Sequence, residues 1–220
     1  KSFDKKGNKL YDYNVYNMRM HEKFLYIIAA ASFIFAIACI FYRNITLSAL
    51  LSVIGIAYPW FKTKDIIRKR KDELNIQFKD MLYSLSSSLT IGKSIETAFK
   101  DCLKDLAILY PDPQAFIISE VNYIIRKIEL NETLESALSD FASRAHIEDV
   151  DNFVDVIYTC KRTGGNLIEV IKNTSNIIND KIEIKQEIGT ILAQRKLEHR
   201  ILNILPVILV LLLSITAKDY

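Results

Sequence analysis

Among the side chains able to bind or react, those of RTGGNLIEVI, Arg162 to Ile171, make the most specific offer. Two glycines beside an arginine could cradle a phosphate with backbone N–H groups. A P-loop, however, needs G-x-x-x-x-G-K-[ST] after a strand, so that the lysine reaches the phosphates. A dinucleotide loop needs G-x-G-x-x-G after a strand. Neither pattern is present, and the residues before Gly164 follow a helical period. The glycine pair therefore reads as a joint between two helices.

The other reactive side chains are scattered. His21, His146 and His199 do not cluster, and no H-E-x-x-H or cysteine–histidine metal spacing occurs. Cys39, Cys102 and Cys160 are odd in number and lack a C-x-x-C, so they read as buried free thiols in a reducing compartment. Ser84, Ser86, Ser87 and Ser88 lie in YSLSSSL without a G-x-S-x-G elbow. That run reads as a helix face able to pack closely against another helix. Glu148, Asp149 and Asp151 read as an exposed helix start, and Glu198-His199-Arg200 as a solvated helix end rather than a proton relay. The expectation is of no catalytic residue, no cofactor, no metal and no enzyme.

Composition narrows the class further. The chain has 220 residues, half of them hydrophobic, and a mean hydropathy of +0.12. A net charge of +3, from 29 basic and 26 acidic residues, is too small a surplus for a nucleic-acid partner. Six glycines and four prolines favour long helices over turn-rich β architecture.

The hydrophobicity lies in three blocks. FLYIIAAASFIFAIACIFY, Phe24 to Tyr42, carries no charge and has the length of a membrane-crossing helix. After Arg43 and Asn44 comes ITLSALLSVIGIAYPWF, Ile45 to Phe61, whose Tyr58, Trp60 and Phe61 suit a membrane interface. These two blocks read as a membrane hairpin. ILNILPVILVLLLSITA, Ile201 to Ala217, reads as a third span, with Pro206 tolerated inside it. Lys62, Lys64, Arg68, Lys69, Arg70 and Lys71 follow the second block, and Lys1, Lys5, Lys6, Lys9, Arg19 and Lys23 precede the first. Positive charge beside a span stays inside. The hairpin tip at Arg43–Asn44 is therefore expected outside, the stretch from Lys62 to Arg200 in the cytoplasm, and Lys218–Tyr220 on the far side. The basic run from Lys62 also marks a candidate contact with anionic lipid or an acidic partner. The sequence begins without methionine and stops just past the third block, so the expectation is of a fragment.

Between the spans no strand alternation is found. Phe78, Leu82, Leu85 and Leu89 share one helical face, and Leu167, Ile171, Thr174, Ile178, Ile182, Ile188 and Leu192 mark a second, longer stripe. Three segments resemble one another: GKSIETAFK from Gly92, NETLESALS from Asn131 and GGNLIEVIK from Gly164. Each opens on Gly or Asn, which readily turn left-handed after a helix (Gly92, Asn131, and the pair Gly164 and Gly165). Each then supplies an N-cap, Ser94, Thr133 or Asn166. An acid follows in the first turn, Glu96, Glu135 or Glu169, where it complements the helix dipole. These joints predict about six helices, roughly Asp65–Ile91, Ser94–Leu109, Pro113–Leu130, Thr133–Arg144, Asp149–Thr163 and Asn166–His199, with sequential neighbours antiparallel.

The joints also carry a family resemblance. QFKDMLYSLSSSLTIGKSIETAF resembles the opening of the type II secretion F domain, CKRTGGNLIEVI its second glycine joint, and AQRKLEHRILNILPVILV its closing helix into the membrane. The likeness covers about Lys71 to Leu213. An N-terminal hairpin with a single copy of the domain looks most like the Tad (tight adherence) pilus platform branch. Tad members usually carry a fourth span, which this sequence does not. The resemblance implies an all-α membrane protein with a cytoplasmic bundle of about six antiparallel helices and about three transmembrane helices. Residues 1–23 would form a cytoplasmic segment, 24–61 the hairpin, 62–200 the F-type domain and 201–217 the last span. It further implies a non-enzymatic inner-membrane platform coupling a cytoplasmic assembly ATPase to pilin insertion or extraction, with membrane lipids, the ATPase, pilin, and itself or a paralogous platform protein as partners. The alternative from the residues alone is a membrane-anchored signalling protein with a helical cytoplasmic domain.

Overall fold

A computed structural model describes residues 10–16, 18–42 and 45–216. The fold is all-helical, with no strand among the described residues. Its elements are α1 (Met20–Tyr42), α2 (Ile45–Ser52), a 3-10 segment (Val53–Ala57), α3 (Tyr58–Thr90), α4 (Ile95–Leu109), α5 (Phe116–Glu129), α6 (Leu134–Ala145), α7 (Glu148–Thr163) and α8 (Leu167–Thr216). Lys1, Lys5, Lys6, Lys9, the tip Arg43–Asn44, Ala217 and Lys218–Tyr220 lie outside the described residues.

The chain divides into two compact units. The first contains residues 10–15 and Ile67–Glu183. Its core is built on the apolar face of α3, where Leu74, Phe78, Met81, Leu82, Leu85 and Leu89 are all buried. Spacing of three and four residues puts them on one stripe. Phe78 stands edge-on to Phe153 of α7, with ring centroids 5.6 Å apart, and 5.9 Å from Phe141 of α6. Ile117, Val121 and Ile124 of α5 close the other side. Each such side chain contributes about 1.5–3 kcal/mol by leaving water. From α8 the stripe contributes Ile171, Ile178 and Ile182.

Two expectations change here. The α8 stripe stops at Ile182, because Ile188 and Leu192 are exposed. Pro113 does not start α5. Asp112 accepts the Gln114 N–H at 2.9 Å and its carbonyl the Ala115 N–H at 3.0 Å, so a turn occupies the residues before Phe116. Ala115 cannot cap with its side chain, and buried Gln77 of α3 substitutes by accepting the Ile117 N–H at 3.0 Å. A tertiary contact thus fixes where α5 begins.

The second unit contains residues 16–66 and 184–216. Two of its helical runs, Met20–Ile40 and the one beginning at Ile45, are long and apolar enough to cross a membrane. The second run is not uniform. Between Val53 and Ala57 it tightens into the 3-10 segment, and Gly55 is buried there against α1. A Cβ at Gly55 would stand 2.8 Å from Ala31 N and 3.0 Å from Ala31 Cα. Only a residue without Cβ allows the two backbones so close, as at small-residue crossings of membrane helices. Pro59 sits in the first turn of α3, where its missing N–H costs no hydrogen bond. Thr63 donates to the Pro59 carbonyl at 2.8 Å.

Candidate functional site

The three joints were the sequence's strongest offer of chemistry, and their backbone amides are already engaged. Gly92 has φ +87° and donates its N–H to Leu89 O at 2.9 Å, while Lys93 N–H reaches Ser88 O at 3.3 Å. Ser94 Oγ accepts the Thr97 N–H at 3.4 Å. Asn131 has φ 60°, Glu132 N–H reaches Lys127 O at 3.0 Å, and Thr133 Oγ1 accepts the Ser136 N–H at 3.3 Å. Gly164 has φ 72°, and both Gly164 and Gly165 donate to Cys160 O. Asn166 Oδ1 accepts the N–H groups of Ile168 and Glu169 at 3.1 and 3.4 Å. Amides used to stop one helix and start the next leave no cradle for a phosphate.

The two glycines of the third joint differ. Gly164 is left-handed with open space around its Cβ position, whereas a Cβ at Gly165 would stand 3.1 Å from Cys160 Sγ. Gly164→Val is expected to lower stability by about 1–2 kcal/mol through backbone strain alone. Gly164→Asn should cost less, since asparagine tolerates that conformation. Equal melting temperatures for wild type and Gly164→Val would contradict the assignment.

A fourth joint carries no such signature. His146 ends α6 with φ 49°, its N–H on Ala142 O at 3.1 Å. Ile147 then starts α7 without a side-chain cap. No glycine or asparagine marks the spot. The acids after it are not equivalent. Asp149 is nearly buried and accepts from Asn75 of α3 at 2.9 Å and from Lys181 of α8 at 2.6 Å, joining three helices.

The basic run is a collar rather than a groove. Lys62 through Lys71 spans nearly three turns of α3, so its six cations point all round the helix. Lys62 lies 3.8 Å from Asp65. Lys64 stands over the Trp60 ring at 3.7 Å, a cation–π contact beside the apolar run. Lys71 donates to Asn14 at 2.9 Å. Arg68 and Lys69 are exposed, and Arg70 is half-buried.

The most buried polar cluster went unread in the sequence. Glu120 of α5 has no exposed surface, yet three donors converge on it. Arg144 of α6 grips both carboxylate oxygens, with Nη2 to Oε2 at 2.6 Å, and Tyr13 donates to Oε1 at 2.9 Å. Three donors and no acceptor are what an ionised carboxylate requires. Burial pushes the Glu120 carboxyl above its ordinary range, against the pull of the Arg144 guanidinium. Burial, reinforced by that neighbouring carboxylate, pushes the Tyr13 hydroxyl up too, so it stays protonated and donates. Tyr13 also donates its own N–H to Arg144 O at 3.0 Å and stands edge-on to Phe116 at 5.3 Å. Residues 10–15 are therefore a strap on the helical unit. The one available signal was Glu120 itself, an acid on the apolar face of FIISEVNYII.

Cys102 and Cys160 are buried as expected, whereas Cys39 is half-buried. Cys102 donates weakly to Met81 O at 3.5 Å, and burial pushes its pKa up to about 12. It is a thiol, not a nucleophilic thiolate, at neutral pH. Ser84 donates to Asp105. No group of three or more His, Cys, Asp or Glu side chains converges as a metal site would among the described residues. The arrangement as a whole is one of joints, straps and charge collars.

Comparison with known proteins gives these features a place. The family described as type II secretion system (T2SS), protein F, matches residues 81–215, from the last third of α3 almost to the end of α8. No curated protein and no solved structure matches the chain. All-helical, with two apolar membrane-length helical runs and a family match over more than half its length, the chain belongs to the type II secretion system protein F family, whose members are typically inner-membrane platforms of secretion or pilus systems.

Proposed function

We propose that this protein is the platform of a pilus machine of the Tad type, a non-enzymatic part that couples a cytoplasmic assembly ATPase to the insertion or extraction of pilin. In this reading residues 24–61 and 201–217 provide three spans, and the six helical stretches between them form a cytoplasmic, largely antiparallel body. The observation that carries it is α8. One helix starts at Leu167, just past the glycine joint, and runs through Pro206 to Thr216 in the last apolar block. A rearrangement at the joint would thereby reach the bilayer without a loop to absorb it. The cation collar on α3, with Lys64 on Trp60, supports contact with anionic lipid at the inner face. The positive charge of the collar also suits an acidic surface of the ATPase.

Deleting the gene is expected to abolish surface filaments while pilin is still made. Normal filaments in the deletion strain would sink the proposal. Restoring the wild-type chain should restore filaments, whereas a chain with two glycines inserted after Lys185 should be present in the membrane but inactive.

A further inference from the structure

A polar cleft of about 580 Å³ opens between α3 and α8, and both of its walls belong to the helical unit. Lys79, Asp80 and Tyr83 line the α3 wall. On the α8 wall, Ser175 and Asn179 are four residues apart, as are Asn176 and Asp180, so all four share one side of the helix. The lining holds no aliphatic side chain among the described residues, so the cleft is no seat for an apolar helix.

The two walls differ in how far their polar groups are satisfied. On α3, Lys79 Nζ lies 3.0 Å from Asp80 Oδ1, and Tyr110 donates its hydroxyl to Asp80 Oδ2 at 2.6 Å. That carboxylate is fully engaged, and it offsets the charge of Lys79. On α8 the side chains of Ser175, Asn176, Asn179 and Asp180 make no hydrogen bond or ion pair among the described residues. Ser175 is only 4% exposed, yet its hydroxyl bonds neither to another side chain nor back to its own helix. A buried hydroxyl without a partner destabilises a fold unless something else supplies the partner.

We infer that the cleft receives an arginine side chain presented by a partner polypeptide. Charge selects a cation. Lys79 and Asp80 cancel, and Asp180 is left as the uncompensated charge, which repels a phosphate or a carboxylate. A divalent metal needs several oxygen ligands with more than one free carboxylate among them, and here only Asp180 is free, with the Lys79 ammonium beside it. Donor geometry selects arginine over lysine. The planar fork of five N–H groups suits acceptors spread along α8, whereas an ammonium is a point charge. Tyr83, 75% exposed, offers its ring as a face for the guanidinium. The Asn176 and Asn179 amides can in addition donate to the backbone that carries the arginine, which favours a polypeptide over a free cation. Because both walls lie in the helical unit, the inference stands independently of the platform reading.

Fluorine NMR of the full chain in detergent tests the inference. The probe is a short Gly–Ser peptide with a single central arginine and a trifluoroacetyl tag, and broadening of the tag signal reports binding. Affinity should fall about tenfold when citrulline, the uncharged isostere, replaces the arginine, and by a similar factor in Asp180→Asn. A glutamate peptide should not bind, and N-acetylarginine amide should compete more weakly than the peptide. Ser175→Ala separates a ligand contact from a structural role. It should weaken peptide binding while leaving the melting temperature unchanged or higher, because the hydroxyl it removes has no partner in the fold. No broadening with the arginine peptide, equal affinity for arginine and citrulline, or no effect of Asp180→Asn would each overturn the inference. So would equal affinity of the free amide, which would make the cleft a small-molecule site, and so would a lower melting temperature in Ser175→Ala.

Discussion

Arg144→Met should destabilise the helical unit by about 3–5 kcal/mol, the cost of leaving a buried charge without its partner. Glu120 is fully buried, and the guanidinium supplies two of its three donors. Methionine matches the stem of arginine, so the loss is electrostatic rather than a cavity. For a chain of this size the melting temperature should fall on the order of 10 °C. The size of the drop should depend on pH. Without Arg144, the Tyr13 hydrogen bond alone opposes burial, and the folded pKa of Glu120 rises further above the unfolded value. A group raised in this way favours the folded state most at low pH, and that contribution disappears as pH rises through the folded pKa. The deficit of Arg144→Met should therefore shrink on acidification towards the ordinary carboxyl range and grow as pH rises through the raised folded pKa. Adding Glu120→Gln should recover much of the loss at neutral pH, since the amide oxygen still accepts from Tyr13 and no charge is buried. Thermal melts of the wild type, Arg144→Met and the double variant in detergent at pH 5 and pH 7.5 decide it. A double variant no more stable than Arg144→Met would contradict the charge-pair account.

The second large effect is expected from Gly55→Leu. The nearest atoms to a Cβ at that position, Ala31 N at 2.8 Å and Ala31 Cα at 3.0 Å, belong to backbone. Backbone cannot rotate aside as a side chain can, so α1 and the 3-10 segment must separate. The cost should lie near the upper end of the overpacking range, about 3 kcal/mol. Gly55→Ala already places an atom in the conflict and should lose part of the same amount. The check is limited proteolysis of membrane vesicles together with a melt in detergent. Wild-type resistance in Gly55→Leu would show that the two backbones are not in contact.

What could be read from sequence follows the range of the interaction. The joints at Gly92, Asn131 and Gly164 were open to reading because both halves of the signal lie within three residues: a side chain that tolerates positive φ, then an oxygen that caps. The stripe of Phe78, Leu82, Leu85 and Leu89 was readable for the same reason, since a helix repeats its face every turn. The strap was not. Tyr13 and Glu120 are 107 positions apart, and no periodicity links them. His146 escaped because it adopts the left-handed conformation without being Gly or Asn. The start of α5 escaped because its cap, Gln77, is supplied by another helix. The α8 stripe was followed beyond Ile182 because a repeat in sequence does not say where the bundle that it faces comes to an end.

The strap also sets an order of events during synthesis. Tyr13 leaves the ribosome before its partners, with Glu120 following it by 107 residues and Arg144 later still. At about 5–20 residues per second, Tyr13 waits roughly 5–20 s for the first of its partners. The apolar runs of α1 and α2 emerge within that interval and are available to the insertion machinery first. Residues 10–15, made before the rest of the described helical unit, are thus among the last to lock. By then residues 10–15 can be freed only by reopening the socket around Glu120.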